Sequence, residues 1–332
     1  MAPPTKLSFD RQFAAAAAAI AAETGAAQVE LPAGDVEGRR KVLGSIIMQT
    51  ISALPDVPDV VTKQHTCTAE DGHKVVVTEF RPRTSPPAPS PAVYHMHGGG
   101  MILGSVVDFE KAIKTRAAAA GMPLFSVEYR LAPEHPHPTP VNDCYAGLVW
   151  LHSNAKDLGI DNSRIMVQGE SAGGGLAAGV ALMARDKKLD PPLAFQKLIY
   201  PMLDDRNLKL IEAIEGLAMW KASDNTTGWQ ALLGKEHAGS DKLVEGHEYA
   251  APARAKSLAG LPPTYIDVGQ LDIFAKEDMV YAMRLLEADV AVEFHLYPGL
   301  PHGFEGVGAG TAIAKVAMAN RQRVDDEFRG WA

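Results

Sequence analysis

One serine of this chain lies in a motif that suits a nucleophile. A G-x-S-x-G sequence occupies residues 169–173 with Ser171 at its centre, after an apolar run at 165–167 that predicts a buried strand. The small residues that follow are typical of a helix start. A sharp strand-to-helix turn of this kind strains the serine backbone and presents the N–H of Ala172 to a developing negative charge. Because the same residues could form an ordinary turn, this interpretation needs partners elsewhere in the chain.

Three more candidates follow predicted strands. A glycine triplet at 98–100 lets bare backbone N–H groups approach a substrate oxygen, as an oxyanion hole requires. Asp272 comes just after a strand and could orient an imidazole, whereas the competing Asp267 falls inside that strand. His302 follows the last predicted strand. The chain order Ser171, Asp272, His302 is the order expected of the fold that carries G-x-S-x-G, and it predicts a catalytic triad.

Strands and helices alternate around these candidates. Strands are predicted at 73–82, 92–97, 124–129, 165–167, 195–203, 263–269 and 292–297, and helices at 109–120, 142–155 and 312–328, with a further helix after residue 269. Such alternation indicates an α/β fold with a mostly parallel sheet covered on both faces. In open parallel sheets, sites form beyond the carboxyl ends of the strands, and all four candidates follow a strand.

Two segments do not fit the alternation. Residues 1–45 have weak helical amphipathicity, interrupted at 31–35, and precede the first predicted strand. Residues 204–261 separate two consecutive strands and contain helix-like pieces. An insertion of this length between strands usually forms a lid or cap over the strand ends. We therefore expect this insertion to cover the candidate site.

Composition excludes several classes of function. The chain has 332 residues, 46% hydrophobic and 22% charged, with a net charge of −8 and no basic run. This acidic balance argues against a surface for nucleic acid or anionic membrane. Two cysteines, Cys67 and Cys144, imply no disulfide framework, and no Cys/His set has the spacing of a metal site. We expect neither a metal nor an organic cofactor.

An alanine run at 14–19 resembles the apolar part of a signal peptide. Asp10 and Arg11 precede it, however, and alanine favours a helix more than it favours a membrane. We therefore expect a surface helix, no convincing signal peptide and a cytoplasmic location. No run reaches the roughly 20 apolar residues that a membrane span needs.

Longer motifs carry a family resemblance over residues 92–304. They are His97-Gly-Gly-Gly, Tyr129-Arg-Leu-Ala-Pro-Glu-His-Pro, Gly169-Glu-Ser-Ala-Gly-Gly, Tyr200-Pro-Met-Leu-Asp, Asp272 with Glu277, and Tyr297-Pro-Gly-Leu-Pro-His-Gly-Phe. With these motifs the chain resembles the hormone-sensitive-lipase-like group of α/β-hydrolases, the family IV esterases. The resemblance implies an eight-stranded hydrolase core with a helical cap. It divides the chain into an N-terminal cap segment at 1–50, core at 51–204, a cap insertion at 205–260 and core at 261–332.

The resemblance also implies an activity, namely hydrolysis of carboxylic esters with short-to-medium acyl chains through an acyl-enzyme intermediate. The backbone N–H groups of Gly99, Gly100 and Ala172 would be the oxyanion donors. Hydrolysis of lactones, carbonates or amides with the same triad is the alternative, and a non-catalytic ligand receptor is a distant third. Two sequence departures concern the surroundings of the site: Glu170 replaces a common Asp, and Ile273 and Lys276 replace a common Pro and Asp.

The substrate pocket and the assembly are less well defined by the sequence. Apolar residues of the glycine loop and the cap are candidates for the pocket wall, although such residues are more often core: Met101, Ile102, Met219, Trp220 and Trp229. The expected partner is a small-molecule ester, with no nucleic acid and no membrane span. The sequence does not define the oligomeric state, but members of the family are often dimers, so the resemblance allows a homodimer.

Overall fold

An eight-stranded sheet forms the centre of the protein in the computed structural model, which describes residues 6–24 and 30–330. The strands are β1 Val60–Thr68, β2 Lys74–Pro82, β3 Ser90–Met96, β4 Leu124–Glu128, β5 Ile160–Glu170, β6 Phe195–Ile199, β7 Thr264–Gly269 and β8 Val292–Tyr297. Their order across the sheet is β1-β2-β4-β3-β5-β6-β7-β8. The two pairings that involve β2 are antiparallel, and all the others are parallel.

Helices cover both faces of this sheet. They are α1 Arg11–Thr24, α2 Val36–Ser52, α3 Glu110–Ala120, α4 Thr139–Ser153, α5 Ala172–Asp186, α6 Ala222–Leu233, α7 His247–Ala250, α8 Ala275–Glu287, α9 Glu305–Gly308 and α10 Ala312–Gly330. A 3₁₀ turn, Pro252–Arg254, follows α7. None of the helices in the described ranges is both long and apolar enough to cross a membrane.

The core has two apolar layers, one on each side of the sheet. Neighbouring residues of a strand alternate between the layers, as the period of two along a strand requires. One layer contains Val93, Met166 and Tyr265, and the other contains Tyr94, Val167 and Ile266. All seven residues of β3 are buried, which is typical of a central parallel strand covered on both faces. The arrangement confirms the predicted α/β-hydrolase architecture.

The first strand differs from the sequence prediction, which has no strand before residue 73. β1 lies at one edge of the sheet and pairs antiparallel with β2 alone. Only Val60 and Cys67 of its nine residues are buried. An edge strand that faces solvent carries few apolar residues, so the pattern that marks buried strands is missing here.

The N-terminal helices contact the cap insertion through buried polar groups. Arg39 of α2 is fully buried and donates its Nε–H to Asp224 of α6 at 2.8 Å. Its other guanidinium N–H groups reach three carbonyls before and at the start of α2. The N–H of Gly34 also donates to Thr227 at 2.9 Å. These bonds join the two segments that the sequence assigns to the cap, while the division into domains stays a prediction.

The alanine run at 14–19 lies in α1, as predicted. The residues of the run are exposed or half-buried, whereas Phe13 is 1% exposed and packs beside Gly308. Residues 1–5 and 25–29 of the predicted N-terminal helical region lie outside the described residues. Helix α1 therefore packs against the core with Phe13 buried and Ala17 half-buried against the same apolar layer.

Candidate active site

Ser171 occupies the turn between β5 and α5 in a strained backbone conformation. Its φ of 56° and ψ of −122° cost a non-glycine residue on the order of 1–3 kcal/mol. Three backbone hydrogen bonds hold this conformation. The N–H of Ser171 donates to Ile199 at 2.9 Å, and its carbonyl accepts from Gly175 at 3.1 Å and from Met202 at 2.9 Å. The end of β6 thus fixes the serine above the sheet.

The two outer glycines of the motif are required by close backbone contacts. A Cβ on Gly169 would lie 2.1 Å from the carbonyl oxygen of Gly173. A Cβ on Gly173 would lie 2.1 Å from the carbonyl oxygen of Met96 at the end of β3. Only glycine lets the strand and the helix approach this closely.

Ser171, His302 and Asp272 form one hydrogen-bonded line. His302 Nδ1 lies 2.6 Å from Asp272 Oδ2, and His302 Nε2 lies 2.9 Å from Ser171 Oγ. A carboxylate can only accept, so Nδ1 carries the proton and Nε2 is free to accept from the serine hydroxyl. Asp272 is buried, and its Oδ1 accepts from the N–H of Phe274 at 2.9 Å. The three side chains come from the turns after β5, β7 and β8.

The competing carboxylate, Asp267, has a different partner. Its two oxygens accept from the guanidinium of Arg321 at 2.6 and 2.8 Å, and Oδ2 also accepts from the Tyr265 hydroxyl. Asp267 therefore pairs with Arg321 of α10, whereas His302 pairs with Asp272.

The glycine loop after β3 runs beside the serine. A Cβ on Gly98 would lie 3.5 Å from the Cβ of Ser171, so this backbone borders the serine. Gly99 and Gly100 follow with φ values of 127° and 59°, which favour glycine. The carbonyl of Gly99 accepts from the N–H groups of Ile102 and Leu103, at 3.1 Å each, and closes the loop. Ala172, the third predicted oxyanion donor, is the first residue of α5.

Buried aromatic rings hold the start of this loop. His97 Nδ1 lies 2.7 Å from the carbonyl oxygen of Gly98. Its ring stacks on Tyr129 with 4.3 Å between centroids, and the Tyr129 hydroxyl donates to the His97 carbonyl at 2.8 Å. Burial lowers the pKa of His97 to about 4, although the bond to Gly98 opposes the change. His97 is therefore neutral at pH 7.

The other end of the loop is held by Arg40 of α2. Its Nε–H donates to the carbonyl of Ile102 at 2.7 Å, and its Nη2 donates to the carbonyl of Ala132 at 3.1 Å. Glu134 pairs with the same guanidinium at 2.6 and 2.7 Å. Sequence reasoning missed Arg40, because one arginine in a polar helix gives no signal of a contact about 60 residues away along the chain.

Glu170, the residue before Ser171, is buried in a charged cluster beneath it. Its Oε2 lies 2.9 Å from His95 Nε2, and its Oε1 lies 2.5 Å from Arg116 Nη1. Burial alone would raise the pKa of Glu170, but the charges of Arg116 and His95 outweigh burial and hold the pKa well below its ordinary range. The ionised side chain ties β3, β5 and α3 together below the turn that carries Ser171.

The departures after Asp272 leave its contacts intact. The Ile273 carbonyl accepts from Asn207 at 2.9 Å, and Ile273 and Lys276 both line an open groove of about 480 Å³. The same Asn207 amide donates to Glu277, a buried carboxyl whose pKa burial raises well above its ordinary value. These contacts from Asn207, in the predicted cap insertion, hold the segment that follows Asp272.

The five predicted pocket residues occupy different environments. Three are fully buried: Met101, Ile102 and Trp229. Met219 is 48% exposed. Trp220 is 7% exposed, and its ring edge packs on Gly100, where an added Cβ would lie 2.4 Å from Cη2. Trp220 thus borders the glycine loop, and the pocket itself stays a prediction.

Known proteins share both the sequence pattern and the fold. The sequence profile of a family described as having the alpha/beta hydrolase fold matches residues 93–306. Esterase LipI of Mycobacterium tuberculosis (strain ATCC 25618 / H37Rv) is 36% identical over 246 residues, 73% of this chain and 74% of that protein. Carboxylesterase NlhH from the same strain is 35% identical over 250 residues, 69% of this chain and 74% of that protein.

A solved structure titled bacterial heroin esterase superposes with a TM-score of 0.87 at 35% identity, covering 98% of this chain and 99% of that one. The site geometry, the matched profile and these relatives agree. The chain belongs to the α/β-hydrolase fold family and, within it, to the hormone-sensitive-lipase-like carboxylesterases.

Proposed function

We propose that Ser171 is the nucleophile of this carboxylesterase, with His302 as general base and Asp272 as the group that orients it. The hydrogen-bonded line from Ser171 Oγ through His302 to Asp272, at 2.9 and 2.6 Å, carries the proposal. His302 Nε2 takes the serine proton as Oγ attacks the ester carbonyl. Asp272 keeps the proton on Nδ1 and stabilises the imidazolium that forms.

The remaining steps follow from the position of the glycine loop. The carbonyl oxygen becomes an oxyanion that accepts from the N–H groups of Gly99, Gly100 and Ala172. His302 returns its proton to the leaving alcohol, and the acyl group stays on Ser171. Water then attacks the acyl-enzyme with His302 again as base, which releases the acid and restores the serine.

Replacement of the nucleophile tests the proposal. The Ser171→Ala variant should lose the p-nitrophenol burst and steady-state hydrolysis of p-nitrophenyl esters, while its melting temperature stays near that of the wild type. Ser163→Ala, which removes a hydroxyl bonded to Asp161 at an exposed position near the start of β5, is the matched control and should keep full activity. Undiminished turnover in Ser171→Ala would overturn the assignment.

The proposed substrates are esters with short-to-medium acyl chains. The support is Trp220, whose ring closes on Gly100 and leaves little room beside the predicted oxyanion donors. A series of p-nitrophenyl esters from acetate to palmitate should give the highest kcat/KM at the short end. The same enzyme assayed on lactones and anilides tests the alternative substrate classes.

We also propose that the protein forms a homodimer through α8 and β8. Four large apolar side chains of α8 are 41–67% exposed: Met279, Val280, Met283 and Leu286. Beside them β8 is the last strand of the sheet, with an unpaired edge among the described strands. An apolar stripe next to an open strand edge suits pairing with a second copy.

Light scattering after size-exclusion chromatography tests this assembly. The wild type should elute with the mass of a dimer, and Met283→Glu should elute as a monomer. Val107→Glu is the matched control, since Val107 is 70% exposed and lies far along the chain from α8. A monomeric wild type would refute the dimer.

The cytoplasmic location remains part of the proposal. It is supported by the alanine run at 14–19, which lies in helix α1 beside the buried Phe13. Cell fractionation with an antibody to the protein should find it in the cytoplasmic fraction, and recovery from the culture medium would contradict this.

A further inference from the structure

A buried charge network lies beside the histidine of the triad. The Tyr200 hydroxyl donates to Glu305 Oε1 at 2.5 Å, and Arg321 Nη1 donates to the same oxygen at 3.1 Å. Arg321 also donates to both oxygens of Asp267. Burial alone would raise the pKa of Glu305, but Arg321 and the Tyr200 hydroxyl outweigh it and lower the pKa. Glu305 is therefore a carboxylate at neutral pH.

The network touches the catalytic imidazole through one ring. Tyr200 packs edge-on against His302, with 4.6 Å between ring centroids and 63° between planes. Phe274 makes a second edge-on contact with His302 at 5.2 Å and 84°. Two aromatic neighbours that meet the imidazole edge-on restrict its rotation about the side-chain bonds.

The backbone at Tyr200 is strained to hold its ring in this place. Tyr200 directly follows β6 with φ of 35°, a conformation uncommon outside glycine. Its N–H donates to the carbonyl of Asp267 at 2.7 Å, which anchors the residue to β7. Strain of this kind persists where the surroundings over-determine the conformation, and here the bonds to Asp267 and Glu305 do so.

Glu305 also belongs to the segment that carries His302. It comes three residues after His302, at the first position of α9. Its carboxylate therefore ties the histidine loop to the end of β6 through Tyr200 and to α10 through Arg321. The two hydrogen bonds at Glu305 Oε1 fix the loop that carries His302 relative to β6 and α10 together.

We propose that Glu305 is a positioning residue for ester hydrolysis: by bonding the Tyr200 hydroxyl and Arg321, it fixes the His302 loop so that Nε2 stays aimed at Ser171 Oγ. The inference rests on the proposed function of the triad. No group of the network lies in the line from Ser171 to Asp272, so Glu305 acts on the rate through the orientation of His302.

Variants that keep side-chain size separate positioning from simple stability. Tyr200→Phe removes the hydroxyl and keeps the ring against His302, and Glu305→Gln removes the charge that pairs with Arg321. Tyr249→Phe is the matched control, because it breaks a similar bond from a tyrosine hydroxyl to a carboxylate, that of Asp186 at 3.0 Å in the cap region. Each protein is titrated to completion with an organophosphonate that esterifies the active serine, so rates are expressed per reactive site.

The expected result is a fall in kcat per site of about tenfold in Tyr200→Phe and Glu305→Gln, with KM within twofold of the wild type, since small misplacements of a catalytic group can cost up to about 10² in rate. Both variants act on the same hydrogen bond, since one removes its donor and the other removes the charge of its acceptor. The double variant should therefore lose no more than the slower single variant. Tyr249→Phe should keep wild-type kcat and KM.

Two results would overturn the inference. One is a wild-type kcat per site in Glu305→Gln, whatever its melting temperature, since a purely structural role lowers only the number of active molecules. The other is a double variant whose losses multiply. Failure of the proposed function has a different signature, because the wild type itself would then show no acyl-enzyme burst or Ser171→Ala would retain it.

Discussion

His97 is expected to make the fold sensitive to acid between pH 6.5 and about 4. Its pKa is about 4 in the folded protein, against an ordinary value of 6.5. Between these values the unfolded chain binds a proton that the folded protein does not, so stability rises with pH in this window. The contribution of neutral His97 to the free energy of unfolding is fully present above pH 6.5 and is lost as the pH falls towards 4.

The size of the effect follows from the shift. The difference between the two pKa values of His97 corresponds to about 3 kcal/mol of unfolding free energy, at 1.36 kcal/mol per pKa unit. About 2 kcal/mol of this should be lost by pH 5. His97 is only 1% exposed, so solvent screening does not reduce this figure greatly. The ring contacts with Tyr129 and Phe109 leave little space for water beside it.

Urea unfolding of the wild type and of His97→Asn, followed from pH 7 to pH 4.5, measures the effect. Asparagine keeps an N–H donor that can reach the Gly98 carbonyl but does not titrate. The free energy of unfolding should therefore fall with pH by about 2 kcal/mol less in the variant. His135→Asn, at an exposed position, should retain the wild-type pH dependence. Equal pH dependence in wild type and His97→Asn would refute the assignment of a buried neutral imidazole.

Three further predictions concern the glycine loop. Gly100→Ala should lower kcat by about 10²–10³, because the added Cβ meets Trp220 and displaces a proposed oxyanion donor. Gly216→Ala, where the added Cβ meets open space, should keep the wild-type kcat. Arg40→Met should lower kcat about tenfold, because the Ile102 carbonyl loses its hydrogen-bond donor. Added salt should not lower the kcat of the wild type in the same way, since salt does not remove this hydrogen bond. Trp220→Leu should move the optimum of a p-nitrophenyl ester series to longer acyl chains, and an unchanged optimum would place Trp220 outside the pocket.

The grouping of Ser171, Asp272 and His302 could be predicted from sequence because each follows a strand whose apolar run is unambiguous. In a parallel sheet the strand ends meet at one edge, so chain order and strand position are enough to bring the three residues together. The choice of Asp272 over Asp267 rested on the same reasoning, since a residue inside the strand cannot reach over the sheet edge.

The supporting contacts could not be predicted in this way. Arg40, Tyr200, Glu305 and Arg321 act through bonds between elements that are distant in the sequence, and none stands in a pattern that names its partner. Strand β1 was missed for a related reason, because its exposed edge position removes the apolar pattern. Hydrophobic periodicity in the sequence indicates which side chains are buried. The partners of these residues are set by which helices and strands pack together, and periodicity does not indicate that.

The strand order of the sheet has a consequence for how the enzyme matures. Strands β3, β4 and β5 all lie within residues 90–170 and β3 pairs with the other two, whereas β7 and β8 lie beyond residue 263 and join the sheet next to β6 and β7. Ser171 and His302 are 131 residues apart, and such long-range contacts form slowly. A nascent chain therefore carries Ser171 well before His302, and the hydrogen bond between them can form only after the residues beyond β8 have been made.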